Sequence, residues 1–125
     1  MRNGKYVVLC VDDDPDVLMA LRIILEKESY AMEEAPSGEE GVKKYQETKP
    51  DFILIDLMME EVDAGANMAR QLLALGNKAP VYMLSSVGQQ LTVNIDPKEL
   101  GVTGFFQKPV YPETLLLTLR LKLPR

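Results

Sequence analysis

Five polar side chains stand at the ends of short apolar runs, where they could act together on a phosphoryl group. They are three carboxylates, one hydroxyl and one ammonium: Asp12, Asp13, Asp56, Ser85 and Lys108. Apolar runs of this kind, separated by helix-like stretches, are typical of buried parallel strands, and the ligands of such sheets collect at the carboxyl ends of the strands. We therefore expect the five side chains to converge on one small site.

The carboxylates favour a bound cation, because neighbouring carboxylates cannot all be ionised without a compensating charge. The chain has no histidine and one cysteine, which excludes His/Cys zinc sites and serine-protease-type triads. Oxygen-only ligands point to Mg²⁺, whose coordination is commonly completed by substrate phosphate oxygens. A simpler interpretation of Asp12-Asp13-Asp14 is a solvated helix cap before Pro15, and Asp14 fits that role best.

An aspartate at the end of a strand, beside Mg²⁺, can act as a nucleophile and accept a phosphoryl group as a mixed anhydride. We expect this role for Asp56. Lys108 would place its ammonium against the transferred oxygens, and Ser85 would donate a hydrogen bond to one of them. Each residue alone also fits a structural role, as a turn residue, a solvated lysine or a helix cap, but their shared position at strand ends argues against coincidence.

The elements that must position these residues alternate between strand and helix. The predicted strands are Val7–Val11, Tyr30–Ala35, Phe52–Ile55, Val81–Leu84 and Gly101–Phe106. The predicted helices are Pro15–Lys27, one from the capping box Ser37-Gly38-Glu39-Glu40 to Tyr45, Gly65–Leu75, a short or broken helix within Gly88–Leu100, and Pro112–Lys122. Five strand–helix repeats imply an α/β fold, a doubly wound parallel sheet of flavodoxin-like order 2-1-3-4-5.

Particular residues of the third and fourth predicted helices indicate a buried face, a helix end and an interruption. In the third helix, Met68, Leu72 and Leu75 fall on one face, and Gly76 is a natural stop. The helix within Gly88–Leu100 is interrupted by polar residues and a proline: Asn94, Asp96 and Pro97.

Composition bounds the class of protein. The length of 125 residues suits one domain, and the net charge of −5 argues against a broad surface for nucleic acid or anionic membrane. The longest apolar stretches are too short to span a bilayer, and the N-terminus does not resemble a signal peptide. We expect a cytoplasmic protein with no direct nucleic-acid or membrane partner. Cys10, inside the first apolar run, is expected to be a reduced, buried, structural thiol.

Four segments, in order and at this spacing, resemble the response-regulator receiver domain, the family of the bacterial chemotaxis regulator. They are Val11-Asp12-Asp13-Asp14-Pro15, Leu54-Ile55-Asp56-Leu57-Met58-Met59, Pro80-Val81-Tyr82-Met83-Leu84-Ser85-Ser86 and Gly104-Phe105-Phe106-Gln107-Lys108-Pro109. The resemblance covers essentially the whole length. It implies a single receiver domain over residues 1–125, with no output domain in this chain.

The resemblance also assigns roles within the site. It implies that Asp56 is the phosphoacceptor, that Asp13 binds Mg²⁺ directly, and that Asp12 does so through water. The backbone carbonyl of Met58 would complete the metal site. Lys108, together with Ser85, would bind the phosphoryl group.

The resemblance further implies a switch. Ser85 would move toward the phosphoryl group and Phe105 would turn inward behind it, so that the face of helix 4, strand 5 and helix 5 changes its partners. The Lys108-Pro109 bond resembles the cis peptide of the family. The implied partners are a histidine kinase or phosphotransfer domain and a downstream protein target or attached effector domain, with a phosphorylation-dependent homodimer as a further form. Such a switch is not an ordinary enzyme, since it catalyses only its own phosphorylation and dephosphorylation.

The chain departs from the family pattern after the phosphoacceptor. Glu60 stands where a proline is usual, Glu61 adds a second negative charge, and Ala64 replaces the usual turn glycine. We expect Gly65 to take over that turn. The interrupted helix 4 is a further departure and bears on the proposed output face.

Two alternative functions remain open from the sequence. One is a degenerate receiver that only binds partners, because the acidic loop around Glu60 prevents phosphorylation. The other is a haloacid-dehalogenase-type phosphatase, with Asp12 as nucleophile and Asp14 as acid/base. The chain is short for that class, and the acidic pair expected after Lys108 is missing, with only Glu113 beyond it.

Overall fold

The computed structural model describes residues 1–57, 59, 64–86 and 97–124. Within them the chain forms five strands and five helices. The strands are β1 Val7–Val11, β2 Ala31–Ala35, β3 Phe52–Asp56, β4 Val81–Ser85 and β5 Gly104–Gln107. The helices are α1 Pro15–Lys27, α2 Gly38–Thr48, α3 Ala64–Ala74, α4 Pro97–Leu100 and α5 Pro112–Lys122.

The five strands form one parallel sheet in the order β2-β1-β3-β4-β5, which confirms the predicted flavodoxin-like topology. Val11 pairs with Ile55, Asp56 with Leu84, and Ser85 with Gln107. The carboxyl ends of β1, β3, β4 and β5 therefore lie side by side at one edge of the sheet.

Both faces of the sheet are covered by helices. Along β1, Val8 and Cys10 pack with α1 and α5, while Leu9 and Val11 pack on the opposite face with α3 and Leu100 of α4. Side chains alternate between the two faces of a strand, so a strand that is buried on both sides reads as a continuous apolar run. This explains why the central strands could be predicted from the sequence.

Capping side chains fix where two of the helices begin. The carboxylate of Asp14 accepts a hydrogen bond from the amide of Asp16 at 2.9 Å, which caps α1. The hydroxyl of Ser37 accepts one from the amide of Glu40 at 3.2 Å, as the predicted capping box requires. Gly76, with φ of +83°, follows α3 as its predicted stop.

Several predicted boundaries were wrong by a few residues. The second helix continues past Tyr45 to Thr48, because Lys49 supplies the left-handed cap three residues later than expected. Strand β2 begins at Ala31. Strand β5 begins at Gly104, because Gly101, with φ of +69°, belongs to the turn that closes α4.

The third helix also differs from its prediction. It begins at Ala64, so Gly65 lies inside its first turn and does not form the turn before it. Met68 and Leu72 are buried as expected, but Leu75 is 48% exposed because α3 ends at Ala74 and the chain then turns away.

The segment before β5 was predicted to contain a short or broken helix. Of the predicted short or broken helix, the structure describes one turn, Pro97–Leu100. Asn94 and Asp96 lie outside the described residues. Among the helices that are described, none has the length and apolar character needed to cross a membrane.

Cys10 is a fully buried thiol, as predicted, and burial raises its pKa well above the ordinary value of 9.0. The folded state therefore keeps this proton where the unfolded chain loses it. Its contribution to stability is fully present below about pH 9 and is lost above that, at about 1 kcal/mol per pH unit. We expect Cys10→Ala to remove this slope. Urea unfolding of both proteins from about pH 8 to 11 checks it, and an unchanged slope in the variant would contradict it.

Candidate functional site

Asp12 is held at the end of β1 by its main chain and by both carboxylate oxygens. Its amide donates to the carbonyl of Ala35 at 3.1 Å, which extends the pairing of β1 with β2 by one residue. Its Oδ1 accepts a hydrogen bond from the amide of Asp14 at 2.9 Å, and its Oδ2 lies 2.9 Å from Nζ of Lys108. A fully buried carboxylate is thus fixed in one orientation.

Asp56 is the last residue of β3 and is 3% exposed. The next residue, Leu57, donates its amide to the carbonyl of Leu84 at 2.8 Å, so the main chain after Asp56 is still tied to β4. Oδ2 of Asp56 lies 3.2 Å from Nζ of Lys108. The carboxylate therefore points to the same edge of the sheet as Asp12.

Lys108 joins the two carboxylates. Its amide donates to the carbonyl of Ser85 at 2.7 Å, and its bond to Pro109 is cis, as the resemblance implied. Burial alone would lower the pKa of the Lys108 ammonium, but hydrogen bonding and charge from Asp12 and Asp56 outweigh burial and raise this pKa. The ammonium is therefore charged at neutral pH and compensates part of the negative charge.

Three carboxylates meet here in a set that suits a hard cation. One oxygen each from Asp12, Asp13 and Asp56 lies within 4.8 Å of the others, with Asp13 exposed and the other two buried. Among residues 1–57, 59, 64–86 and 97–124, one ammonium, that of Lys108, is paired with carboxylates of this set. An all-oxygen set with excess negative charge and one open side fits Mg²⁺, which prefers oxygen ligands and keeps several waters.

The remaining predicted residues fall into three groups. Ser85 is buried at the end of β4, and Phe105 is partly buried in β5 against the cluster that includes α3. Asp14 is exposed and caps α1, as expected, which leaves it an unsuitable acid/base for the phosphatase alternative. Three predicted participants, Met58, Glu60 and Glu61, lie outside the described residues.

Two contacts within the site were not predicted from the sequence. Lys108 was expected to contact a phosphoryl group, but its contact with the carboxylates of Asp12 and Asp56 was not predicted. The excess of negative charge among the candidate residues is the sequence signal that could have indicated this contact. The contact of Gly65 with the main chain of Asp56 was also missed. No local pattern signals it, because it depends on how closely α3 approaches β3.

Comparisons with known proteins agree with this geometry. The family model of the response regulator receiver domain matches residues 8–120. The transcriptional regulatory protein ResD of Bacillus subtilis is 34% identical over 124 residues, which are 99% of this chain and 50% of ResD. The chemotaxis protein CheY of Thermotoga maritima is 34% identical over 114 residues, which are 90% of this chain and 92% of that protein.

A solved structure of the chemotaxis response regulator CheY4 of Vibrio cholerae is also similar. It superposes with a TM-score of 0.82 at 30% sequence identity, and the match covers 96% of this chain and 100% of that one. The chain therefore spans half the length of ResD and most of the length of the chemotaxis proteins. These matches confirm the resemblance that the four sequence segments indicated and set the phosphatase alternative aside. The chain belongs to the response regulator receiver domain family.

Proposed function

We propose that this chain is a phosphorylation-controlled switch that accepts a phosphoryl group on Asp56 from the phosphohistidine of a histidine kinase or phosphotransfer domain. The observation that carries the proposal is the buried Asp56 carboxylate, 3.2 Å from the Lys108 ammonium and grouped with Asp12 and Asp13. These 125 residues contain no histidine, so the phosphohistidine of the proposal lies outside them. We expect this exchange to take place in the cytoplasm.

In the transfer step, a carboxylate oxygen of Asp56 forms a bond to phosphorus while the bond from phosphorus to the donor's imidazole nitrogen breaks. The electron pair of the broken bond leaves with the imidazole, and Asp56 becomes an acyl phosphate. Lys108 stabilises the charge on the phosphoryl oxygens, and the hydroxyl of Ser85 donates a hydrogen bond to one of them. The chain thus catalyses only its own phosphorylation and dephosphorylation.

Asp12, Asp13 and Asp56 would hold Mg²⁺ together with the backbone carbonyl of Met58. When bound, the ion supplies positive charge to the carboxylates and to the incoming phosphoryl oxygens. Asp13 is the exposed member of the set, so we expect the ion and the donor to enter from its side.

Phosphorylation would be read at the surface formed by α4, β5 and α5. Three large side chains stand exposed at this end of the chain, at 69%, 56% and 73%: Tyr111, Leu117 and Leu121. Phe105 is partly buried in β5. In the proposed switch its packing would change when Ser85 moves toward a phosphoryl group. We infer that this surface contacts either a separate target protein or an attached effector domain.

The proposal is tested by intact-mass spectrometry after incubation with Mg²⁺ and acetyl phosphate. We expect one added phosphoryl group on the native chain and none when Mg²⁺ is omitted or when Asp56 is replaced in Asp56→Asn. If no adduct forms and beryllofluoride also leaves the site unperturbed, the proposal is wrong and a receiver that only binds partners is favoured.

A further inference from the structure

The first turn of α3 lies unusually close to the main chain that carries Asp56. A Cβ atom built on Gly65 would lie 2.3 Å from the carbonyl oxygen of Asp56, 2.8 Å from that of Leu57 and 3.0 Å from Cα of Leu57. Gly65 does not have a positive φ, so its backbone conformation does not require glycine. What requires glycine at this position is the closeness of the two main chains.

The atoms that a Cβ atom on Gly65 would contact cannot easily move. All three belong to the backbone at the end of β3, where the amide of Leu57 is hydrogen-bonded to Leu84 of β4. Gly41 of α2 provides a contrast, because its Cβ would meet side-chain atoms of Met68 at 2.8 Å and of Val11 at 3.0 Å. The closest atoms to the added methyl group are thus the far end of a flexible side chain at Gly41, whereas at Gly65 all three are main-chain atoms.

We propose that Gly65 is a positioning residue for Asp56: the absence of its side chain lets α3 rest directly on the Asp56–Leu57 main chain and so fixes the carboxylate relative to Asp12 and Lys108. Asp12 follows β1 and Lys108 follows β5, so both lie outside the contact between α3 and β3. A shift at the end of β3 therefore changes the distances within the site. The phosphorylation part of this inference rests on the proposed function, whereas the geometric part does not.

The expected effect follows from the size of the clash. Contacts of Cβ shorter than 3.0 Å are essentially absent from proteins, so Gly65→Ala must separate α3 from β3 by about 0.7 Å. Displacements of this order at a reacting group cost roughly 10-fold or more in rate. We expect Gly65→Ala to weaken Mg²⁺ binding about 10-fold and to slow phosphorylation by acetyl phosphate by a similar factor.

Gly41→Ala is the matched control, since it adds the same methyl group in the helix layer on the same face of the sheet without touching Asp56. Mg²⁺ affinity is measured by titration calorimetry, and the initial phosphorylation rate by intact mass. The Gly41→Ala protein should stay within about twofold of the native chain in both, whatever its loss of stability. Equal effects of the two variants on affinity and rate would overturn the inference, because they would indicate a general structural role.

Two further readouts separate this inference from the proposed function. Hydrogen exchange of the Leu57 amide and the ¹³C shift of the Asp56 carboxyl carbon report the site without metal or phosphoryl donor, and both should change in Gly65→Ala but not in Gly41→Ala. If the native chain is not phosphorylated, the proposed function fails while these readouts still decide the role of Gly65. If Gly65→Ala does not fold, it is refolded in sucrose, which favours the compact state, and an unchanged Leu57 amide there would overturn the inference.

Discussion

Replacing Lys108 with methionine is expected to make the stability of the fold depend on Mg²⁺ and, at the same time, to slow phosphorylation. The ammonium lies 2.9 Å from Oδ2 of Asp12 and 3.2 Å from Oδ2 of Asp56, and both carboxylates are buried. Without it, the described part of the chain places three carboxylates at the site and no ammonium or guanidinium in an ion pair with them. Removing one partner of a buried charge pair costs about 3 kcal/mol at the lower end of measured values, which suits a lysine that is 19% exposed.

The same change should strengthen Mg²⁺ binding, because the ammonium and the ion would share the negative charge of the same two carboxylates, Asp12 and Asp56. We expect the affinity of Lys108→Met for Mg²⁺ to rise about 10-fold, and saturating Mg²⁺ to restore most of the lost stability by mass action. Phosphorylation should nevertheless be slower at saturating Mg²⁺, since Lys108 is also expected to stabilise the transferred oxygens. Urea unfolding in EDTA and in Mg²⁺, with calorimetry and intact mass, measures all three effects.

Lys43→Met is the control for this experiment. Lys43 is a lysine on α2 that pairs with Glu40 at the surface, and its side chain is 59% exposed. Exposed pairs contribute about 0 to 1 kcal/mol, so this variant should resemble the native protein with and without Mg²⁺. Weaker Mg²⁺ binding in Lys108→Met would contradict the prediction and would mean that the ammonium organises the metal ligands more than it competes with the metal.

The boundaries of strands and helices could be predicted from the sequence where the interactions that set them involve residues close together in the chain. Val7–Val11 and Pro15–Lys27 were predicted to the residue, because a strand buried on both faces leaves a continuous apolar run and Asp14-Pro15 fixes a helix start locally. The predicted end of α2 was wrong because the helix is capped by Lys49 in a left-handed conformation. A lysine rarely adopts that conformation, so its presence in the sequence does not indicate a helix end. The exposure of Leu75 was missed because apolar spacing does not show where a helix stops.

That the candidate residues meet at one edge of the sheet was predictable for a topological reason. In a parallel sheet the residues after each strand necessarily meet at one edge, so residue type together with strand position was enough to bring Asp12, Asp56, Ser85 and Lys108 to one end of the sheet. Contacts set by distances between separate elements could not be read in this way. The approach of Gly65 to Asp56 is such a contact, and only the packed structure gives its closeness.

Asp12 and Asp13 are neighbours in sequence, and the structure predicts that replacing them has different consequences. Asp13 is the exposed member of the carboxylate cluster, so Asp13→Ala should weaken Mg²⁺ binding at least about 10-fold while changing the free energy of unfolding in EDTA by no more than about 0.5 kcal/mol. Asp12 is buried, accepts a hydrogen bond from the amide of Asp14 and forms an ion pair with Lys108, so Asp12→Ala should lower both metal affinity and stability. Titration calorimetry and urea unfolding in EDTA separate the two quantities.

The control for this pair distinguishes ligation from the general negative field of the site. Asp16 is an exposed carboxylate in the first turn of α1, outside the cluster that Asp13 belongs to. Its replacement removes one negative charge from the same end of the molecule but no ligand, and charges between exposed groups are screened by salt. If Asp16→Ala weakens Mg²⁺ binding as much as Asp13→Ala does, and added salt reduces both effects, Asp13 acts through the field. If only Asp13→Ala does so and salt leaves the difference intact, Asp13 binds the ion.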